Sequence, residues 1–208
     1  MLTHTLSKLG RNLIGLTWDG DALWAGDWDS QTLLRLAADG SVEESFAAPG
    51  RPVGMTFRDG AITAVISDPE NDDRSIHRFD LSRHKWSDES IRCPDDTGSH
   101  VSWDGRKLWL SQRYNKRVLQ LGADGSVERA IEMPSEVVGI HWMGPTLWTN
   151  LRITKGASDI GRLDAGAEKP ELVDHYDQGF VSLGYDGGGF WMSDLRGTTI
   201  ARAAPPGL

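Results

Sequence analysis

GLTWDGDALWAGDWD, residues 15–29, sets three tryptophans and an Asp-Gly pair within fifteen positions, and a close variant, HVSWDGRKLWLSQRY, returns at residues 100–114. With substitutions allowed the phrase occurs five times: GLTWDGDALWAG from Gly15, GMTFRDGAITAV from Gly54, HVSWDGRKLWLS from His100, GIHWMGPTLWTN from Gly139 and SLGYDGGGFWMS from Ser182. Two columns are mostly aromatic. The first holds Trp18, Phe57, Trp103, Trp142 and Tyr185; the second holds Trp24, Thr63, Trp109, Trp148 and Trp191. Seven of the nine tryptophans fall in these columns, so most serve the packing of the repeat, leaving Trp28 and Trp86 outside it.

Within each unit apolar and polar residues alternate, with turn pairs such as Asp19-Gly20, Asp104-Gly105 and Asp186-Gly187 between apolar runs. Alternation of period two around an Asp-Gly pair marks an antiparallel hairpin, because the pair supplies the positive φ angles of a tight turn. A third run follows (TLLRLAADG at 32–40, RVLQLGADG at 117–125), then a fourth (SVEESF at 41–46, SVERAI at 126–131). Four short strands make one unit. Successive starts lie 39, 46, 39 and 43 residues apart, a period typical of the blades of a β-propeller. From Ser182 onward 27 residues remain and 14 precede Gly15, together one more period of 41. The expectation is therefore all-β: a single domain over 1–208, a five-bladed β-propeller of four-stranded antiparallel blades, closed when the N-terminal segment THTLSKLG (3–10) completes the last blade.

The repeat, D-G-x-x-L-W followed by I/L-x-R/Q-L and D-G-S-V, resembles those of the streptogramin B lyase and SMP-30-like propellers and of the bacterial glutamine cyclotransferase-like group, which is five-bladed. The resemblance spans nearly the whole chain and implies lyase- or cyclase-like relatives. The streptogramin lyases carry metal-binding Glu and His residues, so a divalent metal is left open as cofactor. The cyclotransferase F-T-Q-G-L motif reads NLIGL at 12–16. The Trp-Asp dipeptides at 18–19 and 103–104 fall at the first turn, not at the end of a third strand, which excludes the WD40 pattern.

Composition bounds the rest. The 208 residues carry a net charge of −8, which repels a phosphate backbone and argues against nucleic acid as partner. No apolar run approaches the ~18 residues of a membrane helix, and the amino terminus has no leader pattern, so a soluble, cytoplasmic protein, monomeric or weakly homo-oligomeric, is expected. The lone Cys93 excludes an internal disulfide. The basic stretch RSIHRFDLSRHKW (74–86) reads as a solvated edge strand, and His4, His77, His84 and His175 as solvent-facing.

In a propeller the innermost strand of each blade runs from one face down the central channel, and the second strand returns. Residues just before each phrase and just after each L-W run thus crowd one channel mouth. Those positions hold Asn12, Arg51, Asp96, Ser99 and Glu136 before the phrase, and Asp27, Trp28, Asp68, Gln112, Arg113, Asn150, Arg152 and Asp194 after it. They differ from blade to blade, which favours one asymmetric polar site over five equivalent ones. His100 replaces glycine at a phrase start and His141 replaces Thr or Ser two positions further on; with Glu136 they are the candidate acid–base or metal-binding residues. Arg51 and Arg113 suit a carboxylate or phosphate, Trp28 could stack on a ligand ring, and Asp27, Gln112, Asn150 and Asp194 complete the candidate ligand-binding set. The second unit loses its tryptophan at Thr63 and inserts SDPENDDRS (67–75), a possible lid with calcium-attracting acids but no EF-hand spacing. No G-x-S-x-G, phosphate loop or H-E-x-x-H occurs. Two readings follow: a small-molecule-binding propeller of lyase or hydrolase type acting on a polar or anionic molecule, or a non-catalytic ring that binds proteins through its rim or the Trp86 edge.

Overall fold

The computed structural model describes residues 2–6, 10–154, 156–164 and 166–207; the end of the expected N-terminal strand, 7–9, lies outside the described residues. The chain opens with β1 (Leu2–Leu6). Blade 1 follows as β2 (Leu13–Trp18), β3 (Leu23–Asp27), β4 (Thr32–Leu36) and β5 (Val42–Ala47), and blade 2 as β6 (Arg51–Arg58), β7 (Ala61–Ser67), β8 (Arg74–Asp80) and β9 (Lys85–Arg92). Blade 3 comprises β10 (His100–Trp103), β11 (Leu108–Gln112), β12 (Arg117–Leu121) and β13 (Val127–Glu132). Blade 4 comprises β14 (Glu136–Met143), β15 (Thr146–Thr154), β16 (Ala157–Asp164) and β17 (Glu171–Tyr176). Blade 5 takes β18 (Phe180–Tyr185), β19 (Phe190–Asp194) and β20 (Ile200–Ala203) from the chain's end, and β1 pairs antiparallel with β20 to complete it. Each inner strand lies beside the next, and β18 lies beside β2. The ring is closed: five blades of four antiparallel strands.

The opening phrase owes its shape to one carboxylate used twice. Asp19 Oδ1 accepts the N–H groups of Asp21 and Ala22, both at 2.7 Å, and so holds the turn, while Oδ2 accepts the indole N–H of Trp24 at 2.7 Å. Asp104 does the same for its turn and Trp109 (2.8 Å), and Asp186 for its turn and Trp191 (2.7 Å). Each of these three indoles packs into the seam with the following blade, Trp24 beside Ile62 and Phe79, Trp109 beside Val137 and Ile140, Trp191 beside Leu13 and Leu16; Trp148 fills the same place beside Phe180 and Phe190 without an aspartate, its N–H unpaired among the described residues. A second aspartate closes the turn between third and fourth strands, where Asp39, Asp80 and Asp124 each accept both N–H and O–H of the serine two residues on.

Burial follows strand rank. The second strands β3, β7 and β11 are buried throughout, because both faces meet neighbouring blades, whereas the outer strands are largely exposed. The basic stretch at 74–86 differs from expectation: Arg74–Asp80 forms the third strand, and the edge is Lys85–Arg92. Trp86 is also tied down, its indole donating to Ala47 O at 2.8 Å across to blade 1 and packing 5.2 Å from Phe79. Cys93 is buried, and burial pushes its thiol up to about 12, well away from a reactive thiolate.

The closing strand contributes one buried side chain, Leu6, at 6% exposure. Deleting residues 1–10 re-exposes Leu6's site and leaves β20 as an unpaired edge, an expected loss of about 2–3 kcal/mol. Thermal unfolding checks this: a truncated protein melting with the full chain would show that β1 does not hold the ring shut.

Candidate functional site

In four blades the inner strand carries a bulge near its start, between Leu13 and Gly15, Pro52 and Gly54, Val137 and Gly139, and Val181 and Gly184. A bulge shifts the in–out alternation by one. Ile14, Val53, Val138 and Val181 thereby turn toward the channel mouth and, with Ser99, form the apolar floor of a bowl of about 470 Å³. Every blade contributes one floor residue.

Beneath the floor the strands meet at the axis. Three of the five residues there are glycines. A Cβ on Gly54 would lie 2.3 Å from Ser99 O and 2.6 Å from His100 Cα, and one on Gly139 would lie 2.5 Å from Ser182 O. The space so conserved is filled by His100 and Ser182, each 1% exposed, whose Nε2 and Oγ are 3.2 Å apart. Ser182 Oγ also accepts the N–H of Leu16 at 2.9 Å, and its carbonyl accepts Asn150 Nδ2 at 3.1 Å. Ser182 holds a left-handed backbone, φ 67°, within this network. Burial, then the neighbouring His141, pushes His100 down to about 3, and burial pushes His141 down to about 4. Both imidazoles are neutral at pH 7. The Ser–His spacing is that of a nucleophile and its base, but both groups lie beneath the floor of the bowl.

The wall of the bowl is charged. Trp28 is half-buried, with the Arg51 guanidinium 5.2 Å and the Arg74 guanidinium 5.8 Å from its ring centroid. Arg74 is held by Asp72 at 2.8 Å. Across the opening Arg113 donates to Glu136 Oε2 at 2.8 Å, Arg152 reaches the same oxygen at 3.7 Å, and Arg113 lies 4.9 Å over Tyr114, which is 71% exposed. Burial works against the Asp72 charge, but Arg74, Ser67 and Arg51 prevail and hold its carboxyl below the usual carboxylate range. Arg74, Arg113 and Arg152 line the bowl with one carboxylate, that of Asp72, while Arg51 beside Trp28 has no carboxylate within ion-pair distance among the described residues. The mouth is therefore positive on a chain of net charge −8.

Of the residues expected at the mouth, Asn12, Trp28, Ser99, Arg113 and Arg152 line the bowl, Arg51 stacks on Trp28, and Glu136 ties Arg113 to Arg152. The others are engaged in the scaffold. Asp27 is buried on Arg11 at 3.0 Å; Gln112 donates to Pro94 O and Thr97 O and accepts from Arg117 at 2.6 Å. Asp194 accepts the N–H groups of Arg196, Thr198 and Thr199 in its own turn, and Asn150 joins blade 4 to Ser182. His100 and His141 sit on the axis-facing side of their strands, His141 with its ring 5.7 Å from that of Tyr185. Arg74, Tyr114 and the floor residues Ile14, Val53, Val138 and Val181 escape a reading of columns. The signals that could have found them are the long insertion before Arg74 and the extra residue per inner strand that a bulge requires.

The loop at 68–73 is folded back on itself by Asp68 N–H donating to Asp73 O and by Asp68 Oδ1 accepting from Glu70 and Asn71, so that Asp72 joins the wall. The donor set does not fit the metal that the lyase resemblance implies. His100 bonds Ser182, Glu136 bonds two arginines, and no group of three or more His, Cys, Asp or Glu side chains converges among the described residues.

No protein-family model and no curated protein sequence matches the chain. Solved structures do. The glutaminyl cyclase of Myxococcus xanthus superposes with TM-score 0.76 at 9% identity, over 97% of this chain and 94% of the cyclase. The PQQ-bound aldose sugar dehydrogenase of Streptomyces coelicolor gives 0.65 at 16% identity, over 100% and 81%. Virginiamycin B lyase of Staphylococcus aureus gives 0.54 at 17%, over 93% of this chain and 66% of the lyase. The chain shares their propeller fold. A cyclase and a lyase, the kinds of enzyme that the repeat resembles, are thus among the matches, and at these identities the likeness is one of fold. No helix among the described residues is long and apolar enough to cross a membrane.

Proposed function

We propose that this propeller binds a small anionic, polar molecule in the bowl at the channel mouth. The single observation that carries the reading is the excess of arginine over carboxylate around Trp28, above an apolar floor, in an acidic protein. A bowl of about 470 Å³ is of metabolite size. The apolar floor receives the carbon skeleton, and Arg51, the arginine without a carboxylate partner, receives the negative group. Chemistry of lyase or hydrolase type, as in the lyase match, would fall to the carboxylates of Glu136 and Asp72, because His100 and His141 lie at the axis. Both carboxylates are engaged by arginines, and that of Asp72 is held below the usual carboxylate range, which supports binding more directly than turnover. A cytoplasmic protein, monomeric or weakly homo-oligomeric, belongs to this reading.

The test is a calorimetric and thermal-shift panel of small carboxylates, sugar acids, phosphate esters and pyrroloquinoline quinone. Arg51→Ala or Trp28→Ala is expected to weaken the best compound by about 1.5–3 kcal/mol, tenfold to a hundredfold, with little change in melting temperature. If no compound binds, or if both variants bind the best compound as tightly as the parent does, the mouth site is wrong and a protein-binding ring is the better reading.

A further inference from the structure

A cavity of about 570 Å³ lies away from the mouth, in the seam between blades 2 and 3. Its origin is a break in the repeat. In blades 1, 3 and 5 an aspartate anchors the indole five residues on, and blade 4 keeps the indole with Met143 in the aspartate's place. Blade 2 changes both partners, to Arg58 and Thr63. The seam that each other blade fills with a tryptophan is left open over Ile76, Ile91 and Leu108.

What replaces the indole is positive charge. Arg58 donates to Thr63 Oγ1 at 3.3 Å and lies 4.3 Å over the ring of Trp103 in blade 3, and Arg78 donates to Asp59 O at 3.0 Å. Both line the cavity. Neither has a carboxylate within 4.0 Å among the described residues, although Glu89 and Asp124 also line the opening, where Asp124 is engaged with Ser126. Burial and the charge of Arg78 pull the Arg58 guanidinium below its ordinary value. Like charges left together and partly desolvated are costly unless an anion joins them. His77, expected to face solvent, is half-buried here with Nε2 on Ser75 at 2.8 Å and a buried Nδ1 that has no partner. An unsatisfied buried polar atom asks for a ligand or water.

We propose that this seam is a second binding site, for a small planar aromatic carboxylate: the ring takes the place of the missing indole, and the carboxylate pairs with Arg58 and Arg78. Apolar walls at the position of an indole select a flat ring. Two guanidinia without a carboxylate select an anion. The site is independent of the mouth, so each can fail without the other.

Indole-3-carboxylate is the probe, titrated by calorimetry and by protein-observed NMR beside neutral indole and inorganic phosphate. The expected result is binding of indole-3-carboxylate, with indole and phosphate each at least tenfold weaker. Arg78→Gln should weaken binding at least tenfold, and Thr63→Trp, which fills the seam from within, should abolish it, whereas Trp28→Ala should leave it unchanged. Absence of binding at millimolar concentration, phosphate binding as tightly as the aromatic acid, or loss of binding in the Trp28 variant would overturn the proposal. If Thr63→Trp does not fold, Arg78→Gln at the exposed rim decides, and unchanged affinity there overturns it equally.

Discussion

Replacing Trp109 by alanine is expected to destabilise the protein by about 3–5 kcal/mol, the cost of emptying a large aromatic site in a packed interior. Trp109 is 2% exposed and bridges blades 3 and 4, with its ring 5.2 Å from that of Trp142 and the side chains of Val137, Ile140 and Leu147 around it. Its indole N–H is held by Asp104. Asp104→Ala removes that acceptor and frees the N–H groups of Arg106 and Lys107 in the same stroke, for an expected cost of about 1–3 kcal/mol. The two losses should not add in the double variant, because once the indole is gone the carboxylate serves only the turn. Trp28→Ala, at the half-buried mouth, should cost less than either. Urea denaturation of the four variants checks the order, and Trp28 proving the most destabilising would show that core and mouth have been exchanged.

This pair also shows what was legible in the sequence and what was not. The column of tryptophans is visible because all four recur at one offset, and the period of the columns gives strand count, blade count and closure. The second use of the aspartate is not visible. An Asp-Gly pair announces a turn by itself, and nothing in spacing says that the other carboxylate oxygen reaches an indole on the next strand.

At the mouth, topology names the residues that arrive there, but whether each side chain faces the opening depends on a shift of one residue. The bulges make that shift. They turn Ile14, Val53, Val138 and Val181 to the floor, while Asp27, Gln112 and Asn150 go to scaffold hydrogen bonds. His100 is conspicuous in the sequence because it stands in a glycine column, and the same fact explains its burial. A column of glycines marks where backbones crowd the axis, and the room they leave holds this one imidazole and a serine.

That burial predicts a loss of stability in mild acid. His100 is pushed down to about 3 in the fold and returns to about 6.5 in the unfolded chain. Its folded value is the lower, so below pH 6.5 the unfolded state binds the extra proton. The stability tied to the neutral imidazole is complete above pH 6.5 and is lost as pH falls toward 3. At 1.36 kcal/mol per pH unit, His100 alone should cost roughly 2–3 kcal/mol by pH 4.5. His141, pushed down to about 4, adds a loss of the same sign, and burial gives His77 the same direction. His175 has the opposite sign, since its hydrogen bond to Asp159 raises it, so its contribution persists below pH 6.5 and adds nothing to the acid loss. The anchoring carboxylates belong to a lower window. Asp186 is held at about 2, where Arg202 and the turn N–H groups outweigh its burial, and such groups give up stability only as pH falls below about 4. The interval from pH 6.5 to 4.5 therefore reports the buried imidazoles. His100→Gln keeps a partner for Ser182 without a titrating group, and its melting temperature should fall less steeply across that interval than the parent's, while His175→Gln follows the parent. A slope unchanged in His100→Gln would mean that the imidazole takes up its proton as readily in the folded ring as in the unfolded chain and that the axis is not the close-packed site described.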